Sequence, residues 1–199
     1  ASTGGVSIGN ASTALLGCGG GGVFQASNTQ VVMEAENFME KTSTLSRDWT
    51  EIAEGSASGG KAMQALPDKS NDESLPHVGA YNTATGPRMD YAVNFKSPGT
   101  YYISIRCGSP SKYPGNGDSV HIGLNGKAVT VGSRYGVGKG GAFGWRDRSS
   151  LGQVKVEVPS AGIHTVNIWM REDGTKMDKI VVKKSPGNPS GKGPAESPR

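Results

Sequence analysis

The sequence predicts an all-β protein, a sandwich for which the jelly roll is the leading topology, on three observations. Short runs alternate apolar and polar residues, most clearly Met89, Tyr91, Val93 and Phe95, then Val154, Val156 and Val158. These runs are separated by turn chemistry, with 31 glycines and 11 prolines in 199 residues. No helical period of any length appears, and nine short strands suit two packed sheets.

The elements follow in order. Residues 1–29 are poor in charge and rich in Gly, Ser, Thr and Ala, with apolar islands at Leu15-Leu16 and Val23-Phe24. So little apolar surface does not fold alone, which leaves a spacer or an arm that docks as an added strand. Leu15-Leu16-Gly17-Cys18 has the look of a lipobox, but no basic or continuous apolar segment precedes it. Asn10-Ala11-Ser12 is a glycosylation sequon.

The opening strand is 31–38. Residues 40–58 read as a long loop or weak strand around Trp49. A strand at 61–66 precedes a polar insertion, 67–87, with His77 and Tyr81. Strands 88–95 and 100–107 form a hairpin about Ser97-Pro98-Gly99. Strand 119–124 turns through Asn125-Gly126, a strong two-residue hairpin signal, into 127–131. Residues 133–151 form a glycine-rich loop carrying Tyr135, Phe143 and Trp145. Strands 154–158, 163–170 and 177–183 complete the domain, 30–184, and 185–199 is a Pro/Gly-rich linker or tail.

Several function classes are excluded or weakened. No apolar run is long enough to span a bilayer. The chain opens at Ala1 without Met, as a processed exported form does. The net charge of +4 is scattered, which argues against nucleic acid but suits an acidic partner. His77, His121 and His164 lack metal-ligand spacing, and neither a nucleophile elbow nor a phosphate loop is present. Two-carboxylate glycoside hydrolysis depends on a separation the sequence does not reveal. In an oxidising compartment Cys18 and Cys107 would pair, stabilising by on the order of 3 kcal/mol; free or intermolecular thiols are the alternatives.

The most informative stretch is Val31 to Phe38. On a strand, Glu34 and Glu36 share one face about 7 Å apart. If the first and last strands are neighbours, Asp178 joins them, and three carboxylates suit a hard, oxygen-preferring ion such as Ca²⁺. The alternative is a solvated strand face.

The Glu34-Ala35-Glu36 strand, the segment from Arg171 to Ile180 and the turn-rich β sequence between them resemble the family 6 and family 35 carbohydrate-binding modules, over roughly 30–183. The resemblance implies a secreted jelly roll with structural calcium on Glu34, Glu36 and Asp178. Carbonyls of a loop near 55–61 would complete the set. It also implies a sugar cleft among loops at one edge. Trp145 and Tyr135 would supply aromatic faces, Asp173 and Thr175 polar groups, and Arg146 a partner for an acidic sugar, with Trp49 a second platform. Such modules often carry Asn before the last strand, whereas this chain has Glu-Asp-Gly-Thr-Lys, so the ligand class stays open. Trp145 packed into the sandwich edge is the competing reading. The resulting expectation is a non-catalytic polysaccharide-binding module. Its rival is a subunit of an extracellular filament or matrix that self-assembles through the N-terminal arm.

Overall fold

The computed structural model describes residues 21–43, 47–69, 86–109, 117–138 and 140–199, with the backbone of 16–18. Asn10, His77, Tyr81 and the Cys18 side chain lie outside the described residues. The strands are β1 (Leu16–Cys18), β2 (Phe24–Gln25), β3 (Gln30–Glu34), β4 (Glu40–Thr42), β5 (Asp48–Ala53) and β6 (Lys61–Leu66). Next come β7 (Arg88–Phe95), β8 (Gly99–Gly108), β9 (Ser119–Leu124), β10 (Lys127–Ala128), β11 (Tyr135–Gly136) and β12 (Gly144–Arg146). The last are β13 (Arg148–Ser149), β14 (Gly152–Gln153), β15 (Lys155–Val158), β16 (Gly162–Met170) and β17 (Lys176–Lys183).

They form two sheets, a jelly-roll β-sandwich. The first runs β1-β4-β7-β16-β9-β11-β13-β14, with β10 on β9 and β2 parallel to β7. The second runs β12-β8-β17-β6-β5, with β15 on β8 and β3 on β17. Alternation fills the space between them. Tyr91, Val93, Phe95, Val166, Ile168 and Ile122 from the first sheet meet Val31, Met33, Ile103, Ile105, Ile180 and Val182 from the second. The Asn125-Gly126 turn has φ of 51° and 77°, the left-handed pair that a two-residue hairpin requires.

Three expectations change. The weak segment 40–58 contains a true edge strand, β5, because Trp49 plugs the core with 0 % exposure. The sandwich begins before residue 30, since Phe24 is buried in the core and β2 pairs with β7. From Leu16 onward the arm pairs within its own chain, β1 against β4. Residues 185–199 form no strand, yet they lie along the second sheet. Pro198 O accepts from Gln25 N (2.7 Å), and Ser197 N donates to Val32 O (2.9 Å).

The expected disulfide is absent. Cys107 is a free, buried thiol facing the core from the second sheet, while β1, which carries Cys18, pairs in the first. Burial pushes the Cys107 pKa up, so the thiol stays protonated and inert.

Candidate cation site and aromatic edge

The last strand places the first two parts of the acidic site. β17 pairs with β3, bringing Lys179 opposite Glu34. Its register against β8 shifts between Met177 and Lys179. This bulge turns Asp178 and Lys179 successively toward the outer face instead of alternating them. β3 ends at Glu34, and Ala35 and Glu36 form a turn. A turn, rather than strand alternation, therefore aims Glu36.

The third part is a short 3₁₀ turn, Ser58–Gly60, where Gly59 has φ 67°. It lies in the stretch near 55–61 where the resemblance would look for carbonyl donors. Ser58 N donates to Asp178 Oδ1 (2.6 Å) and Ser58 Oγ to Glu34 Oε1 (2.9 Å). Two fixed cations answer three carboxylates. Arg106 pairs with Asp178 Oδ2 (2.5 Å) and Lys179 with Glu34 Oε1 (2.9 Å). Glu34 Oε2 and Glu36 Oε2 are left buried with no hydrogen-bond partner. Burial first, then the charges of Glu34, Asp178 and Glu51, push the Glu36 carboxyl up to about 7.

Among the described residues, no group of three or more His, Cys, Asp or Glu side chains is placed to hold a metal ion, and Arg106 and Lys179 each hold an acidic oxygen. The donor chemistry nonetheless fits a hard divalent cation. Two buried carboxylate oxygens lack donors, and burial together with the neighbouring carboxylates holds the Glu36 carboxyl partly protonated.

The residues expected to meet sugar separate into two groups. Trp49 is fully buried, its Nε1 donating to Pro87 O (3.2 Å), and presents no face to solvent. Tyr135 is also fully buried; its hydroxyl accepts from Ile105 N (2.9 Å) and donates to Arg146 O, pinning the glycine-rich loop to β8. Thr175 is 0 % exposed and donates to Gly117 O (2.8 Å). Asp173 is committed to Arg47 and to Lys69 N (2.7 Å). These four are packed or bonded within the fold, Asp173 through its Oδ2.

Trp145 and Arg146 differ. Both lie on β12, which pairs with the edge of β8, and register sets Trp145 opposite Arg106. Trp145 is partly exposed; its Nε1 donates to Gly191 O (3.0 Å), and Gly193 packs on the ring. Arg146 is exposed. Phe143, which sequence reasoning placed in the loop but gave no role, lies beside them and is partly exposed. Arg106 Cζ stands 5.2 Å and Lys176 Nζ 5.3 Å from its ring centre. The result is an aromatic edge beside two cations already paired, Arg106 with Asp178 and Lys176 with Glu54, while Arg146, opposite Ile105, points to the other face.

A further acidic pair stands at the loop end. Glu172 accepts from Asp118 N (2.9 Å) and pairs with Arg171; burial and a shared side-chain hydrogen bond with Asp118 raise its pKa.

Comparison with known proteins agrees with this architecture. The structure is similar to the Podospora anserina GH26-CBM35 β-(1,4)-mannanase, with TM-score 0.51 and 17% identity over 82% of this chain and 29% of that one. It is also similar to the C-terminal CBM6 of LamC, a marine laminarinase from Zobellia galactanivorans, with TM-score 0.50 and 19% identity over 78% of this chain and 99% of that one. These likenesses establish the shared sandwich fold. A Formosa agariphila protein, described only as uncharacterized, is 28% identical over 188 residues, covering 80% of this chain. The chain spans 45% of that relative's length. The family model of the glycosyl hydrolase family 115 C-terminal domain matches residues 23–196, beginning beside Phe24 and ending inside the C-terminal segment. The chain belongs to the glycosyl hydrolase family 115 C-terminal domain family.

Proposed function

We propose that this chain is a non-catalytic, glycan-binding domain of a secreted carbohydrate-active protein, with a structural calcium ion. The observation that carries the binding reading is the β12 edge, where Trp145 and Phe143 are partly exposed, while Arg146, the next residue of the strand, is the exposed cation there, Arg106 and Lys176 being paired with Asp178 and Glu54. Aromatic faces stack on the C–H faces of a pyranose, and guanidinium groups take a carboxylate in paired hydrogen bonds. An acidic polysaccharide is therefore the favoured ligand class.

Calcium would be held by Glu34 and Glu36, with Asp178 and carbonyls of the 58–60 turn beside them. The reading is supported by the two unpartnered carboxylate oxygens. Its role is to tie the first and last strands and the intervening turn into one unit, a contribution to folding and not to chemistry.

Affinity electrophoresis and calorimetry against neutral and uronate-bearing polysaccharides test the binding reading. The expected result is retardation by an acidic glycan that Trp145→Ala or Phe143→Ala weakens about tenfold, in line with loss of one stacked ring. Absence of binding across the panel, or binding indifferent to both substitutions, contradicts it. For the ion, calcium at 100 times its dissociation constant adds about 2.7 kcal/mol, a rise of roughly 5–10 °C in melting temperature for a domain this size. A melt unchanged between EGTA and millimolar calcium contradicts the metal reading alone.

A further inference from the structure

Outward residues on the second sheet are buried where solvent would be expected. Val32, Ser104, Lys179 and Val181 are 0–3 % exposed, although alternation points them away from the core. The C-terminal segment, 185–199, covers them. Ser104 Oγ donates to Gly187 O (3.2 Å), Trp145 Nε1 to Gly191 O (3.0 Å), and Val32 N to Ser197 Oγ (2.9 Å). The segment is a strap held mainly through its own backbone and polar groups.

Three of its contacts fall on the segments that carry the acidic site. Lys192 Nζ donates to Ala57 O (2.7 Å), one residue before the Ser58 that binds both Asp178 and Glu34. Glu196 Oε1 accepts from Glu34 N (2.9 Å) and Asn37 Nδ2 (2.9 Å), gripping the Glu36 turn from both ends. Lys179 Nζ is shared between Glu34 Oε1 (2.9 Å) and Pro194 O (3.0 Å). Without Pro194, that buried ammonium has Glu34 as its remaining partner. A fixed ammonium on Glu34 competes with any ion for the same carboxylate.

We propose that the strap is a working part of the acidic site: Lys192 and Glu196 are positioning residues for its turns, Pro194 draws Lys179 partly off Glu34, and cation occupancy and strap docking are therefore coupled. The inference rests on the calcium reading. Coupling is reciprocal, so whatever factor the docked strap adds to calcium affinity, calcium adds to strap docking.

Calcium titration by calorimetry and hydrogen exchange of residues 185–199 test it on the full chain. In the unaltered protein, calcium slows amide exchange in the strap. Glu196→Ala and Lys192→Met weaken calcium binding about tenfold, within the usual range of coupling between sites. Lys179→Met raises affinity more in either variant than in the chain with its strap intact, because Pro194 no longer shares the ammonium; a merely structural strap gives equal gains in all backgrounds. Calcium that binds but leaves strap exchange unchanged, with affinity indifferent to Glu196→Ala and Lys192→Met, overturns the coupling and leaves the calcium reading standing. Failure of the unaltered chain to bind calcium overturns both.

Discussion

Glu36 carries an unusual electrostatic load for a carboxyl in a turn. Burial removes water from it, and Glu34, Asp178 and Glu51 add repulsion, so it loses its proton near 7 instead of near 4.5. Its folded pKa lies above its unfolded one, so the metal-free fold holds an extra proton between those values. The associated stability is fully present below about 4.5 and is lost as pH rises toward 7. Glu54 has the opposite sign: its bond to Lys176 lowers it to about 2, and its contribution fades only as pH falls below 4.5. The two windows do not overlap. In EGTA the melting temperature should therefore drop between pH 5 and pH 7.5, and calcium, which prefers the ionised carboxylate, should reverse the drop. Glu36→Gln should flatten the metal-free profile and abolish the calcium response. A metal-free melt that rises over this range contradicts the burial argument. Tyr135 makes a separate residue-scale case. Tyr135→Phe strands Ile105 N and Arg146 O, which should cost about 1–3 kcal/mol in urea denaturation. Sugar affinity should change little, because the ring is buried.

At the scale of elements, legibility followed the strength of alternation. β7, β9 and β6 match their sequence-predicted spans because each has a full inward set between clear turns. β5 was only a weak strand because its outward residues are polar and Trp49 is its one fully buried side chain, too little to establish a period. Trp49→Ala should cost about 3–5 kcal/mol in equilibrium unfolding, as a ring lost from a close-packed core does. A cost below 1 kcal/mol would mean that the β5–β6 edge is not packed as described. The strands between 133 and 153 span two or three residues each and leave no periodic trace. The acidic site was legible by residue type and spacing. Its geometry was not, because the β17 bulge and the turn at Glu36 both break the alternation from which the spacing argument began. The strap was hidden for a different reason. It contributes hydrogen bonds to a sheet face without apolar residues of its own, so composition reads it as tail.

For the whole molecule, the question is whether this sandwich recognises a glycan or cleaves one. The chain spans less than half the length of its Formosa agariphila relative. Cleavage by two carboxyls needs them about 5–5.5 Å apart for retention or about 6.5–9.5 Å for inversion, with room for sugar between. Glu172 is spent on Asp118 N (2.9 Å) and on Arg171. Glu34 and Asp178 are answered by Lys179, Arg106 and Ser58, and Glu36 sits in the turn whose ends, Glu34 N and Asn37, are held by Glu196 of the strap. The isolated chain, incubated with an acidic polysaccharide that it retains, should therefore release no reducing ends. Asp118→Asn should leave retention intact, since the pair stands at the loop end and not on the β12 edge. Measurable sugar release that disappears with Asp118→Asn would make the loop end a catalytic centre and reverse the assignment.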